Sequence, residues 1–203
     1  MIFPAPIWTD PQGRVRRPEV SSGFGEMRRY RGRDGVMRRY PHSGADILYR
    51  ARAGDPPIGP RGSYTEARSP HYYCPAGLPC LAIDEGEIDW MGSYRSGGVG
   101  TGLAITLRLA SGDIVLYAHL LGYDVDGVRL PAYSASVHKG QAVHEVQALA
   151  EIGGSPAPGP HLRHLHLEIW LGGDQHRRTD PVDYLRRGKA RYVATPENWA
   201  PRF

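Results

Sequence analysis

The chain has 203 residues, with 25 Lys and Arg against 21 Asp and Glu, a formal net charge of +4 and a sequence pI of about 9.2. Glycine (26) and proline (18) are abundant and hydrophobic residues make up 40%, which argues against a helical bundle and for one loop-rich β domain. No run approaches the roughly 20 apolar residues of a membrane span, no nucleic-acid-binding motif of the usual kinds occurs, and two cysteines are too few for a disulfide framework.

Residues 1–21 are rich in Pro and Arg and lack periodicity, so they read as an N-terminal arm that packs late or loosely. The opening MIFPAPIWTDPQG has no basic start and no long apolar stretch, unlike a secretory signal. Basic residues concentrate early, at Arg14, Arg16, Arg17, Arg28, Arg29, Arg31, Arg33, Arg38 and Arg39. Such a cluster is most simply a solvated face, and it also suits nucleic acid, a membrane surface or an anionic polymer such as cell wall. From Ser22 the character changes: SGFG (22–25) brackets Phe24 with glycines, and further on His42 and Asp46 lie four apart across Gly44. A turn there would bring both side chains onto one cation, although the same spacing is common in ordinary turns.

Residues 48–76 read as a long loop, with His71 expected at the surface. Cys74 and Cys80 enclose CPAGLPC and lack the second pair of a structural zinc site; they are read as free thiols, or as one loop-closing disulfide if the chain is exported. LAIDEGEIDW (81–90) predicts a strand, a turn at Glu85 and Gly86, and a second strand. SGGVGTG (96–102) precedes the alternating stretch LAITLRLA and not a helix, so it is no phosphate cradle. In that stretch Leu103, Ile105, Leu107 and Leu109 share a face, and after the turn at Ser111 and Gly112 the segment DIVLYAHL returns antiparallel. Strict alternation on the return strand puts Ile114, Leu116, Ala118 and Leu120 on one face and Asp113, Val115, Tyr117 and His119 on the other.

Residues 121–138 form a second expected loop, and a short strand follows around VQALAEIGG (146–154). In the stretch GPHLRHLHLEIW (159–170) the last seven residues then alternate strictly, with His164, His166, Glu168 and Trp170 on one face and Leu165, Leu167 and Ile169 on the other. Two imidazoles at i and i+2 on a strand reach one small ligand. Near the end, Asp180 and Pro181 predict one or two helical turns closing at Gly188, with 188–203 as a tail.

Three places thus hold ligand chemistry: His42 with Asp46, His119, and His164 with His166. Two or three histidines and one carboxylate, with a position left open, is the composition of a catalytic zinc site, in which the metal polarises a carbonyl and lowers the pKa of water towards about 7.

These residues resemble the M23 family of zinc metallopeptidases, the lysostaphin and LytM type that cut peptide cross-links in bacterial peptidoglycan. The features that carry the resemblance occur in order over residues 22–187: SGFG, His42-Ser-Gly-Ala-Asp46, Gly77-Leu-Pro79, Tyr117-Ala-His119-Leu, Lys139-Gly140-Gln141, His164-Leu-His166-Leu-Glu168, and Asp180-Pro181 before Tyr184-Leu185. The resemblance implies a mainly β fold, a single antiparallel sheet with a groove walled by loops, and one Zn2+ per chain held by His42, Asp46 and His166. It implies His119 and His164 as the catalytic pair that activates water and stabilises the tetrahedral intermediate; Tyr117 and Glu168 match the pattern around these residues and are candidates for the layer behind them, with no role assigned to either. The implied substrate is the peptide of bacterial peptidoglycan, the implied place of action the bacterial cell wall, and a monomer is expected. In the family the last histidine pair usually follows Gly-Pro at once, whereas here His161, Leu162 and Arg163 intervene; strand parity favours His164 and His166 over a rival role for His161. Two other readings are a ligand-depleted module that activates another wall hydrolase, against which all five polar residues stand, and a D,D-peptidase with a longer H-x6-D signature, which the spacing of His42 and Asp46 disfavours.

Overall fold

The structure, a computed structural model, describes residues 1–10, 12–31, 34–50, 72–75, 77–96, 99–125, 128–131, 137–153 and 163–196. In chain order its strands are β1 (Trp8–Thr9), β2 (Val15–Arg16), β3 (Pro18–Ser22), β4 (Met27–Arg31), β5 (Met37–Pro41), β6 (Ala45–Arg50), β7 (Tyr72–Tyr73), β8 (Pro79–Leu81) and β9 (Gly86–Ser96). They continue as β10 (Val99–Leu109), β11 (Ile114–Leu120), β12 (Gly122–Val125), β13 (Val128–Pro131), β14 (Ala142–Val143), β15 (Ala148–Glu151), β16 (Leu165–Trp170) and β17 (Arg178–Thr179), followed by the helix α1 (Pro181–Arg187). The fold is mainly β, as expected, and its centre is an antiparallel sheet in the order β14-β9-β10-β11-β16-β6-β3, with β17 beside β16 and β7 beside β6.

The apolar alternation read from LAITLRLA and LHLEIW is what closes this sheet onto its core. Ile105, Leu107, Val115, Tyr117, Leu165, Leu167 and Ile169 point to one side, and pack there with Leu78, Ile83, Leu149 and Ile152. On the other side Ala104, Ile114, Leu116, Ala118 and Trp170 form a smaller cluster that Trp90 and Tyr94 cover. Every residue of β11 and of β16 is buried, so the middle of the sheet is enclosed on both faces.

Three expectations are revised. The N-terminal residues do not lie loosely: Ile2, Phe3, Ala5 and Trp8 are buried, and β3 pairs β6 in the main sheet. Asp10 anchors this segment by accepting from the amides of Gln12 and Arg14 and from the guanidinium groups of Arg14 and Arg16. The stretch 121–138 is not structureless, since β12 and β13 pair within it, and the stretch 48–76 gives residues to β6 and β7. His71 and His161 lie outside the described residues.

Other expectations are met. Helix α1 begins at Pro181 behind the Asp180 cap, whose carboxylate accepts from the Val182 amide at 2.8 Å, and Gly188 follows its last turn. Cys74 and Cys80 are free and buried, and burial pushes both thiols up to about 12. No helix among the described residues is long and apolar enough to cross a membrane.

Candidate metal centre

The site is built where β6, β11 and β16 meet. The register places Asp46 of β6 and Ala118 of β11 opposite His166 of β16, so the Asp46 and His166 side chains emerge on the same face. His42 comes from the turn ahead of β6. Its carbonyl accepts from the Gly25 amide, its own amide donates to the Glu26 carbonyl, and its Nδ1–H donates to the Gly23 carbonyl at 3.0 Å. The SGFG motif is therefore the backbone clamp that points His42 Nε2 inward. Gly44 lets the turn lie against β16: a Cβ there would come within 2.1 Å of the Leu167 carbonyl oxygen. The glycine between His42 and Asp46 is required by close approach to a neighbouring strand.

The donor atoms of His42, Asp46 and His166 converge, and all three residues are buried. His42 Nε2 is 3.0 Å from His166 Nδ1 and 3.2 Å from Asp46 Oδ1, and His166 Nδ1 is 2.9 Å from Asp46 Oδ1. Tetrahedral zinc with bonds of about 2.0–2.1 Å separates its ligands by roughly 3.3 Å. Two imidazoles and a carboxylate with these spacings fit that ion. Each remaining ligand atom is engaged elsewhere, as a metal site needs for orientation. Asp46 Oδ2 accepts from Arg28, and His166 Nε2–H donates to Glu168 Oε1 at 3.1 Å.

Glu168 is the hub behind His166. It is fully buried and also accepts from Ser43 Oγ at 2.6 Å, Trp170 Nε1 at 2.8 Å and Arg178 Nε at 2.7 Å. Burial opposes its ionisation, but the His166 contact and these donors outweigh it and hold its carboxyl down to about 2. Burial likewise opposes the ionisation of Asp46, and His164, His166 and His42 more than offset this, keeping it well below the usual carboxylate range. Between the two carboxylates, and against its own burial, the His166 imidazole is held up to about 9. A divalent cation between Nδ1 and Asp46 competes with that proton.

His164 and His119 complete the cluster. His164 precedes β16 and its Nε2 lies 3.7 Å from Asp46 Oδ1. The His119 ring centre is 4.3 Å from that of His164 and 5.6 Å from that of His166. Strict alternation would have kept His119 with Tyr117 on the core side. The ladder between β10 and β11 shifts instead: Leu103 pairs with Leu120 and Ala104 with Ala118, leaving His119 as the extra residue of a bulge, with φ +61°. The bulge turns His119 to the site and Leu120 to the main core. Tyr117 lies on the opposite face, fully buried, and its hydroxyl accepts from the Ile83 amide at 3.0 Å. The structure thus brings together His42, Asp46, His119, His164, His166 and Glu168, and leaves Tyr117 in the core. Sequence reasoning did not single out Arg28, Ser43, Trp170 or Arg178; only the alternation of Trp170 with Glu168 carried a signal.

No family model matches the chain, and no curated protein sequence matches it. Solved structures do. The catalytic domain of the antimicrobial peptidase lysostaphin from Staphylococcus simulans is 20% identical with a TM-score of 0.50, over 84% of this chain and 92% of that one. The lytM protein of Ruminococcus gnavus is 18% identical with a TM-score of 0.50, over 96% and 63%. A zinc containing peptidase from Vibrio cholerae is 21% identical with a TM-score of 0.48, over 88% of this chain; the chain spans only 37% of that protein's length. The likeness to lysostaphin and lytM shows that the chain has the fold of the lysostaphin and LytM peptidases.

Proposed function

We propose that the chain is a zinc-dependent endopeptidase that hydrolyses peptide cross-links of bacterial peptidoglycan at the cell wall, with His42, Asp46 and His166 holding the metal and His119 and His164 as the catalytic pair. The observation that carries this reading is the convergence of three buried donor atoms within 4.8 Å, contributed by segments more than 100 residues apart in the chain. When bound, zinc supplies Lewis-acid polarisation of a carbonyl and acidification of water. The chain's own residues supply the rest. Glu168 and the Gly23 carbonyl fix which nitrogen of His166 and of His42 faces the centre. Beside it, the paired rings of His119 and His164 can take a proton from water and donate a hydrogen bond to a carbonyl oxygen as it becomes anionic. The cell-wall substrate is supported by the sequence motifs and by the fold shared with the peptidase lysostaphin.

The test is zinc content together with release of soluble peptides from purified peptidoglycan, glycine-bridged and directly cross-linked, with and without chelator. One zinc per chain and chelator-sensitive release are expected. His166→Ala should lose zinc, and His119→Ala should keep zinc and lose turnover. Equal zinc loss in both variants contradicts the division of roles. Zinc binding with neither wall type cut favours a module that acts on another hydrolase.

A further inference from the structure

Among the described residues β4 and β5 pair with each other and with no further strand, and the two faces of the pair differ in character. One face carries Arg28 opposite Tyr40, and Arg28 reaches Asp46 Oδ2 and Ser22 Oγ, so this face turns to the metal centre. By register the other face carries Met27 and Arg29 on one strand and Pro41, Arg39 and Met37 on the other. Met27 is 60% exposed, Met37 59%, and Val36 at the turn 54%. Arg29 stands directly opposite Arg39 and both are exposed. Arg28 and Arg38 have acidic partners in Asp46 and Asp34, whereas among the described residues no acidic side chain pairs with Arg29 or Arg39.

Like charges directly opposite each other destabilise an antiparallel pair, and apolar side chains left in water gain nothing from folding. Both costs are relieved by one kind of surface. Guanidinium groups bind anionic headgroups, while methionine and valine side chains enter the boundary of the acyl region. We infer that the outer face formed by β4 and β5 docks on an anionic lipid bilayer. A soluble polyanion satisfies Arg29 and Arg39 but leaves Met27 and Met37, and Val36 at the adjoining turn, in water, so the lipid surface accounts for both the charged and the apolar side chains. Because the inner face holds Asp46, docking sets the centre beside the bilayer. The inference does not depend on which bond the centre cuts.

The test is cosedimentation of the full chain with vesicles of phosphatidylcholine alone or mixed with phosphatidylglycerol, alongside titration with soluble polyphosphate. The chain is expected to bind only the vesicles with phosphatidylglycerol, more weakly as salt rises. Arg29→Ser with Arg39→Ser should weaken vesicle binding by roughly tenfold or more. The triple change Met27→Ser, Val36→Ser, Met37→Ser should weaken it by a similar factor and leave polyphosphate binding unchanged. Val36→Trp should give emission that shifts to the blue on the anionic vesicles. An unchanged urea midpoint shows that each variant is folded. Failure of the wild type to bind the anionic vesicles overturns the inference. So does an apolar triple variant that binds them as well as wild type, which would leave a site for soluble polyanions.

Discussion

His119 faces His164, ring centres 4.3 Å apart, because the backbone at His119 is left-handed, with φ +61°. One glycine joins their backbones: the Gly153 amide donates to the His119 carbonyl at 2.8 Å, and the Gly153 carbonyl accepts from the His164 amide at 3.1 Å. A Cβ at Gly153 would lie 2.6 Å from the Leu121 backbone, so the strands meet there only with glycine. Asparagine tolerates the left-handed region and a β-branched residue does not. His119→Asn should therefore keep the urea midpoint near wild type, while His119→Val should be less stable than the Asn variant by about 1–2 kcal/mol. Equal stability of the two variants would mean that the bulge relaxes at no cost.

Gly44→Ala puts a methyl group 2.1 Å from the Leu167 carbonyl oxygen and 3.0 Å from Glu168 Cγ. The nearest atoms are backbone, so β6 and β16 must separate. The loss expected in urea denaturation is about 2–3 kcal/mol. Zinc affinity should fall as well, since His42 and Asp46 flank the turn.

Glu168 acts on the centre through His166. Glu168→Ala leaves Ser43, Trp170, Arg178 and His166 without their shared acceptor. Zinc affinity, measured by competition with a chelator, should drop roughly 10–100-fold. Glu168→Gln keeps an oxygen but no charge and should fall between wild type and Ala. An unchanged affinity in both variants would separate Glu168 from the orientation of His166.

Acid should loosen the N-terminal segment. Burial opposes the ionisation of Asp10, but the Arg14 amide and the Arg16 and Arg14 guanidinium groups outweigh it and hold the carboxyl at about 2, below its unfolded value of about 3.9. A depressed carboxylate stabilises the fold fully above the unfolded value, and that contribution is lost as pH falls from about 4 towards 2. Asp10→Asn should cost about 2–3 kcal/mol at pH 6, leaving the buried Arg16 without its counter-charge, and almost nothing near pH 2. Stability curves of the two proteins that stay parallel down to pH 2 would assign the acid response elsewhere.

The sequence by itself determined the mainly β character, the two-sided alternation of β10, β11 and β16, the capped helix at Asp180, and the histidine and carboxylate set of the centre. These were legible because side-chain period and cap chemistry are local, and because His42-x3-Asp46 and His164-x-His166 are each short spacings along the chain. Tertiary structure alone decided the face of His119, since a bulge is an exception to the very alternation that predicts faces. The orientation of the His166 ring was also decided in three dimensions, by Glu168 of its own strand and Asp46 of β6 on either side of the ring. The early basic run, uniform as text, divided into Arg16 buried on Asp10, Arg28 bound to Asp46, and Arg29 facing Arg39 in water. Charge written along a chain gives its amount; which partner each guanidinium meets depends on strand register, and register is set by the packing of the whole sheet.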